Sequence, residues 1–188
     1  MKAIVLQRAL AFYWSKKFYL VCREVPLDTE TRDYYGESYK VTRTERVRAD
    51  FIAMSKYGHT VIVETKSGIA DFRHDHKWQS YKPFCNKFYF CADERTAPRI
   101  VEALKEMDDR ETGVFSAHFY EGLSHKYAIG LKVIRPARDR KMEMSAERQT
   151  VLWSMAARNS GFYCGSRVRS VWEDDELLRL EYRNCDVF

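Results

Sequence analysis

The stretch from 47 to 66 constrains the fold of this chain more than any other. In "VRADFIAM", Val47, Ala49, Phe51 and Ala53 alternate with Arg48, Asp50, Ile52 and Met54, the period of two that a strand imposes. "SKYGH" then offers a turn, with Gly58 free to take a positive φ, and "TVIVETK" returns as a second strand. A turn of about four residues sets Asp50 opposite or diagonal to Glu64 and Lys66, with Cβ atoms about 5 to 8 Å apart. Val61, Ile62 and Val63 suit a sheet interior. Glu64 and Lys66, at the end of the same strand, are side chains that an interior accepts only when they are paired.

Elsewhere helices and strands alternate. Residues 3 to 14 carry apolar side chains at helical spacing, and "FYLVCREVPL" reads as a strand. Residues 28 to 45 are polar and read as a loop or an exposed hairpin. Asp71 is placed to cap a helix bearing Trp78 and Tyr81, "KFYFCAD" is a short buried strand, and Pro98 opens a further helix. "GVFSAHF" and "YAIGLKVIRP" read as strands, and residues 143 to 158 as an amphipathic helix. The expectation is an α/β sandwich with a mixed central sheet flanked by helices, as one domain over residues 1–160. Residues 161–188 form a C-terminal extension, packed on that domain or serving a dimer.

Composition narrows the function classes. With 45% hydrophobic and 31% charged residues in 188, one core of ordinary size is expected. No apolar run approaches the roughly 20 residues of a membrane span, and Gln7 and Arg8 interrupt the N-terminus where a secretory signal would be apolar, so a cytoplasmic protein is expected. Five scattered cysteines without a CxxC pair suggest neither a disulfide framework nor a thiolate zinc site. His74 and His76 have no evident third and fourth ligand in the sequence for a zinc site. The net charge of +5 permits a polyanionic partner without requiring one.

Two carboxylates and a lysine converging on a sheet end make a hard-cation site. Asp50, Glu64 and the Thr65 carbonyl would supply oxygens to Mg2+ or Mn2+, and Lys66 would hold an attacking water or offset charge on a phosphate. Composition alone also supplies about one ExK triplet from 15 Glu and 13 Lys, so an exposed cross-strand ion pair explains the same letters. Context favours the site, because the strand before Glu64 is continuously apolar and an Asp lies on its partner. Ser67, Arg73 and Lys77 near the same mouth would meet DNA phosphates, with Asp71 and Asp75 supporting them. Arg135, Arg138, Arg140 and Lys141 form a second basic stretch for the same purpose. Trp78, Tyr81 and Phe84, three residues apart, fit a helix packed on the sheet better than a base-stacking platform.

The segments "RADFIAM" and "VIVETKSGIADFRHDHKWQSYKPFCNKFYF" resemble the MmcB family of DNA repair proteins, of the PD-(D/E)xK nuclease-like superfamily. A weaker likeness runs on through "ETGVFSA" and "VIRPA", to cover roughly residues 5 to 158. The resemblance implies a restriction-endonuclease-like core and a Mg2+- or Mn2+-dependent deoxyribonuclease, in repair or in phage or mobile-element DNA metabolism. Asp50, Glu64 and Lys66 would be the catalytic set, and Glu24 an additional acidic ligand. DNA is the implied substrate, with a second copy or another repair protein as further partners. Ala49 stands where the superfamily pattern has Pro, so no residue type explains a bend before Asp50. Two other classes stay open: a DNA-binding repair accessory that keeps the fold without turnover, and an interaction protein whose triad is a surface ion pair.

Overall fold

A computed structural model describes residues 3–15, 20–35, 38–55, 57–121 and 127–140. Lys141, the helix expected at 143–158 and the C-terminal extension lie outside them. The order of elements is α1 (Ala3–Ser15), β1 (Leu20–Tyr35), β2 (Ser38–Met54), β3 (Thr60–Thr65), α2 (Ile69–His74), a 3-10 helix (Trp78–Phe84), β4 (Lys87–Asp93), α3 (Ala97–Glu106), β5 (Gly113–Glu121) and β6 (Tyr127–Arg135). The strands form one sheet in the order β1-β2-β3-β4-β5-β6. Hairpins make β1, β2 and β3 antiparallel. The crossovers through α2 with the 3-10 helix, and through α3, make β3, β4 and β5 parallel, and β6 returns antiparallel to β5.

Each face of the sheet is covered, which is what the uninterrupted apolar runs of β3 and β4 require. Leu6, Leu10, Tyr13 and Trp14 of α1 pack with Phe51, Val61, Val63, Cys91 and Phe115 on one face. On the other, Phe72 of α2, Trp78, Tyr81 and Phe84 of the 3-10 helix, and Ile100 and Leu104 of α3 pack with Ile52, Ile62, Phe88 and Phe90. The architecture is therefore a three-layer α/β domain with a mixed sheet, as expected. Among the described residues no helix is long and apolar enough to cross a membrane.

Two expectations shift in detail. Residues 28–45 are the hairpin rather than the loop, because β1 and β2 pair from Asp28↔Arg46 out to Tyr35↔Ser38 with one irregularity at Thr31/Arg32. The helix expected to carry Trp78 and Tyr81 is two pieces. α2 stops at His74, Asp75 Oδ1 accepts the Lys77 N–H, and a 3-10 helix begins at Trp78. A 3-10 helix has three residues per turn, so Trp78, Tyr81 and Phe84 line up on its inner face. Trp78 stacks on Phe88 at 5.8 Å and meets Phe90 edge-on at 5.4 Å. These rings are core and not a base platform.

Candidate functional site

The site begins where β2 and β3 part. Ladder pairing between them runs from Met54↔Thr60 to Phe51↔Val63, and beyond it side chains take over. The Asp50 N–H donates to Glu64 Oε1 at 3.0 Å, while Asp50 Oδ2 accepts the Thr65 N–H at 2.8 Å and the Thr65 hydroxyl at 2.5 Å. Each carboxylate thus satisfies a backbone donor of the strand opposite, as a buried N–H demands. Two residues further out, the Tyr81 hydroxyl donates to the Arg48 carbonyl at 3.0 Å, on the stretch of β2 that β3 no longer flanks.

A change of phase in both outer strands brings the acids to this point. Along β2, Ile52 and Met54 face the α2–α3 layer, yet so do Val47 and Ala49, so the alternation slips at Asp50. β1 does the same, with Cys22 and then Val25 and Leu27 on that face. The slip falls at Glu24, whose φ of 54° is left-handed, a conformation that is uncommon and strained for a residue other than Gly. Glu24 and Asp50 lie between the same two ladder pairs, Arg23↔Phe51 and Val25↔Ala49. The backbone irregularity that Ala49 leaves unexplained in the sequence is therefore shared with the neighbouring strand.

Charge is distributed unevenly over this cluster. Burial, and then the Asp50 charge, push the Glu64 carboxyl well above its ordinary value; burial also raises Asp50, against the hydrogen bonds from Thr65. Both are carboxylates taken from water beside a like charge. Among the described residues the one buried cation nearby, Lys66, is bonded to Asp75 Oδ2 and lies 4.0 Å from Glu64 Oε2. Its ammonium also stands 5.7 Å from the Phe90 ring centroid. Glu24 is held by Arg48 Nε at 2.8 Å and by Gln7 Nε2 of α1 at 2.8 Å. With Lys66 bonded to Asp75 and Arg48 to Glu24, Asp50 and Glu64 share only the more distant attraction of Lys66, which is outweighed by their burial. Asp50 Oδ1 and Glu64 Oε2 accept no hydrogen bond among the described residues.

The structure brings Asp50, Glu64, Thr65 and Lys66 together and adds Asp75 as the direct partner of the lysine. It does not supply Glu24 as a free ligand, since both its oxygens are engaged. Among the described residues, no group of three or more His, Cys, Asp or Glu is disposed to hold a metal ion, and His74 instead bonds the Ala70 carbonyl at 2.7 Å. Asp71 is not the cap of α2. That position is Gly68, and Asp71, in the first turn, accepts the Ser67 N–H and hydroxyl, which removes the Ser67 amide from phosphate contact. Arg73 and Lys77 are exposed on the same layer as the site.

The second basic stretch is elsewhere. β6 runs antiparallel to β5 and carries Arg135 to the level of Val114, in register with Glu64 but three strands across the sheet from it. There Arg135 donates to the Asp109 carbonyl, the Arg138 N–H to the Glu111 carbonyl at 2.9 Å, and the Arg140 guanidinium to Cys85 Sγ at 3.2 Å. Arg135 and Arg140 tie down the chain after β6, and none of the three reaches the site; Lys141 lies outside the described residues. Gln7, Arg48 and Tyr81 have supporting roles that no local pattern announces, because each acts across elements distant in sequence.

These observations define a class first: a three-layer α/β domain with an acid pair and a lysine gathered at the carboxyl end of a parallel strand. The chain belongs to the MmcB-like DNA repair protein family, whose model matches residues 39–162. That membership places it in DNA repair. A protein of unknown function from Silicibacter pomeroyi shares the fold, with a TM-score of 0.56 and 19% identity over 91% of each chain. No curated protein matches the chain.

Proposed function

We propose that the protein is a DNA nuclease dependent on Mg2+ or Mn2+, hydrolysing phosphodiester bonds in repair. The observation that supports this most is the charge balance. Asp50 and Glu64 are two poorly compensated buried acids, each with one oxygen that accepts no hydrogen bond among the described residues, the donor chemistry that one hard divalent ion answers. A divalent ion bound there supplies Lewis acidity and a water of lowered pKa. Asp50 and Glu64 would hold it, with the Thr65 carbonyl beside them. Lys66, held in place by Asp75, would orient the attacking water and offset the charge gathering on the phosphate oxygens.

A second reading, a DNA-binding repair accessory without turnover, is favoured by one observation: Asp50 and Glu64 also bond the strands at their junction, which gives both acids a structural use. Cleavage of single-stranded, duplex and branched DNA with Mn2+ separates the two. The nuclease reading expects cleavage that Asp50→Asn and Lys66→Met each abolish while the folded state persists. DNA binding without cleavage by the wild type, or cleavage that survives both substitutions, refutes it.

A further inference from the structure

We propose that the turn between β4 and α3, through Arg95 and Arg99, forms with Arg73 and Lys77 the surface that holds the DNA backbone. The proposal rests on the reading above in taking DNA as the partner. The path is set by topology: the Lys66 N–H donates to the Cys91 carbonyl at 2.9 Å, so β4 ends beside the site. Two residues on, Asp93 closes β4; Arg95 follows in the turn and Arg99 in the first turn of α3, which touches α2. At about 3.3 Å per residue in a strand, this turn lies on the order of 10 Å from Lys66. That span is short enough for one nucleic-acid backbone to cross both.

The state of the charges is what singles this surface out. The acids of the rim are occupied: Asp71 by Ser67, Asp75 by Lys66, Asp93 by the N–H groups of Arg95 and Thr96, and Glu94 by His118 at 2.9 Å. Arg73, Lys77, Arg95 and Arg99 are exposed, and their side chains have no ion-pair partner among the described residues. Glu102, one turn along α3 from Arg99, is the remaining exposed acid on that helix near the rim. By contrast, Arg135 and Arg140 of the other basic stretch spend their guanidinium groups on the Asp109 carbonyl and Cys85 Sγ. Exposed guanidinium groups are suited to phosphate, which they bind through paired N–H donors.

The test is fluorescence anisotropy of the full chain with a fluorescein-labelled 20-base-pair duplex, and with one of its strands, in millimolar Ca2+ over a series of NaCl concentrations. Arg95→Ala/Arg99→Ala should weaken duplex binding and make the slope of log K against log salt shallower by about 2. Arg95→Glu/Arg99→Glu should weaken binding at least about tenfold at 0.1 M salt. Lys105→Glu and Arg138→Glu, away from this rim, should leave both quantities unchanged. Wild-type affinity and slope in the Arg95/Arg99 variants, or no binding of either DNA by the wild type at low salt, overturn the surface. A wild type that binds through Arg95 and Arg99 and cuts nothing overturns the nuclease reading instead.

Discussion

Replacing Glu64 by Gln should stabilise the protein in the absence of divalent ions. The side chain is 7% exposed, its Oε1 accepts the Asp50 N–H, and its Oε2 is 4.0 Å from a lysine already bonded to Asp75. Gln keeps the acceptor for that N–H and removes a charge that burial and Asp50 both oppose. Removing a poorly compensated buried charge by an isostere is worth about 1 to 3 kcal/mol. For a chain of this size that raises Tm by about 2 to 12 °C. The sign follows from linkage: the native Glu64 carboxyl is raised above its ordinary value of 4.5. The wild type therefore loses stability as pH rises from that value through the native one, while the variant does not. Thermal melts in EDTA from pH 4 to pH 8 should show a gap that is small at pH 4 and widest at pH 8. Adding Mn2+ should raise the wild-type midpoint and close the gap, since a ligand that binds only the native state stabilises it. A variant that melts below the wild type at pH 8, or a gap indifferent to pH, would show that Glu64 is adequately compensated without a metal.

Asp75→Asn should cost about 2 to 4 kcal/mol in urea unfolding, because Lys66, 4% exposed, loses its bonded counter-charge. Adding Lys66→Met should recover part of that loss, and equal costs in the presence and absence of Lys66 would mean the pair is not coupled. Gly113→Ala should lower Tm sharply, since a Cβ there would stand 2.3 Å from Tyr89 Cε1 and 2.6 Å from the Ala137 nitrogen. Gly68→Ala, with nothing within 4 Å of the added carbon, should stay within about 0.5 kcal/mol of the wild type. Trp78→Ala should cost about 3 to 5 kcal/mol of stability, as a buried core ring does. Its DNA affinity, measured where the variant is folded, should stay near that of the wild type.

Period-two patterning and one turn glycine made the centre of the sheet legible, because Phe51↔Val63 follows once the Gly58 turn is placed. The juxtaposition of Asp50 and Glu64 then came with the register. What escaped has physical reasons. Asp75 sits in a linker nine positions beyond Lys66, where no periodicity ties the two. Trp78, Tyr81 and Phe84 recur every third residue, a spacing that an α-helix tolerates and a 3-10 helix imposes. The basic run at 135 to 140 reads as a patch in one dimension, but it starts three strands across the sheet from Glu64, and Arg135 and Arg140 turn their guanidinium groups to the Asp109 carbonyl and Cys85. Arg95 and Arg99, separated by apolar and neutral neighbours, make no run at all and become a surface only through the turn that presents them. The left-handed Glu24 is invisible in sequence because no Gly or Asn marks it.

The reciprocal bonds between Asp50 and Glu64 and the opposing strands bear on how descendants of this chain should be judged. If the protein cuts DNA as proposed, a copy that had given up cutting would still need both acids to keep its strands joined, so their persistence says little about turnover. Lys66 fastens no strand through its side chain, and in such a lineage its exchange for a neutral residue, together with Asp75, would be the first legible sign of retirement.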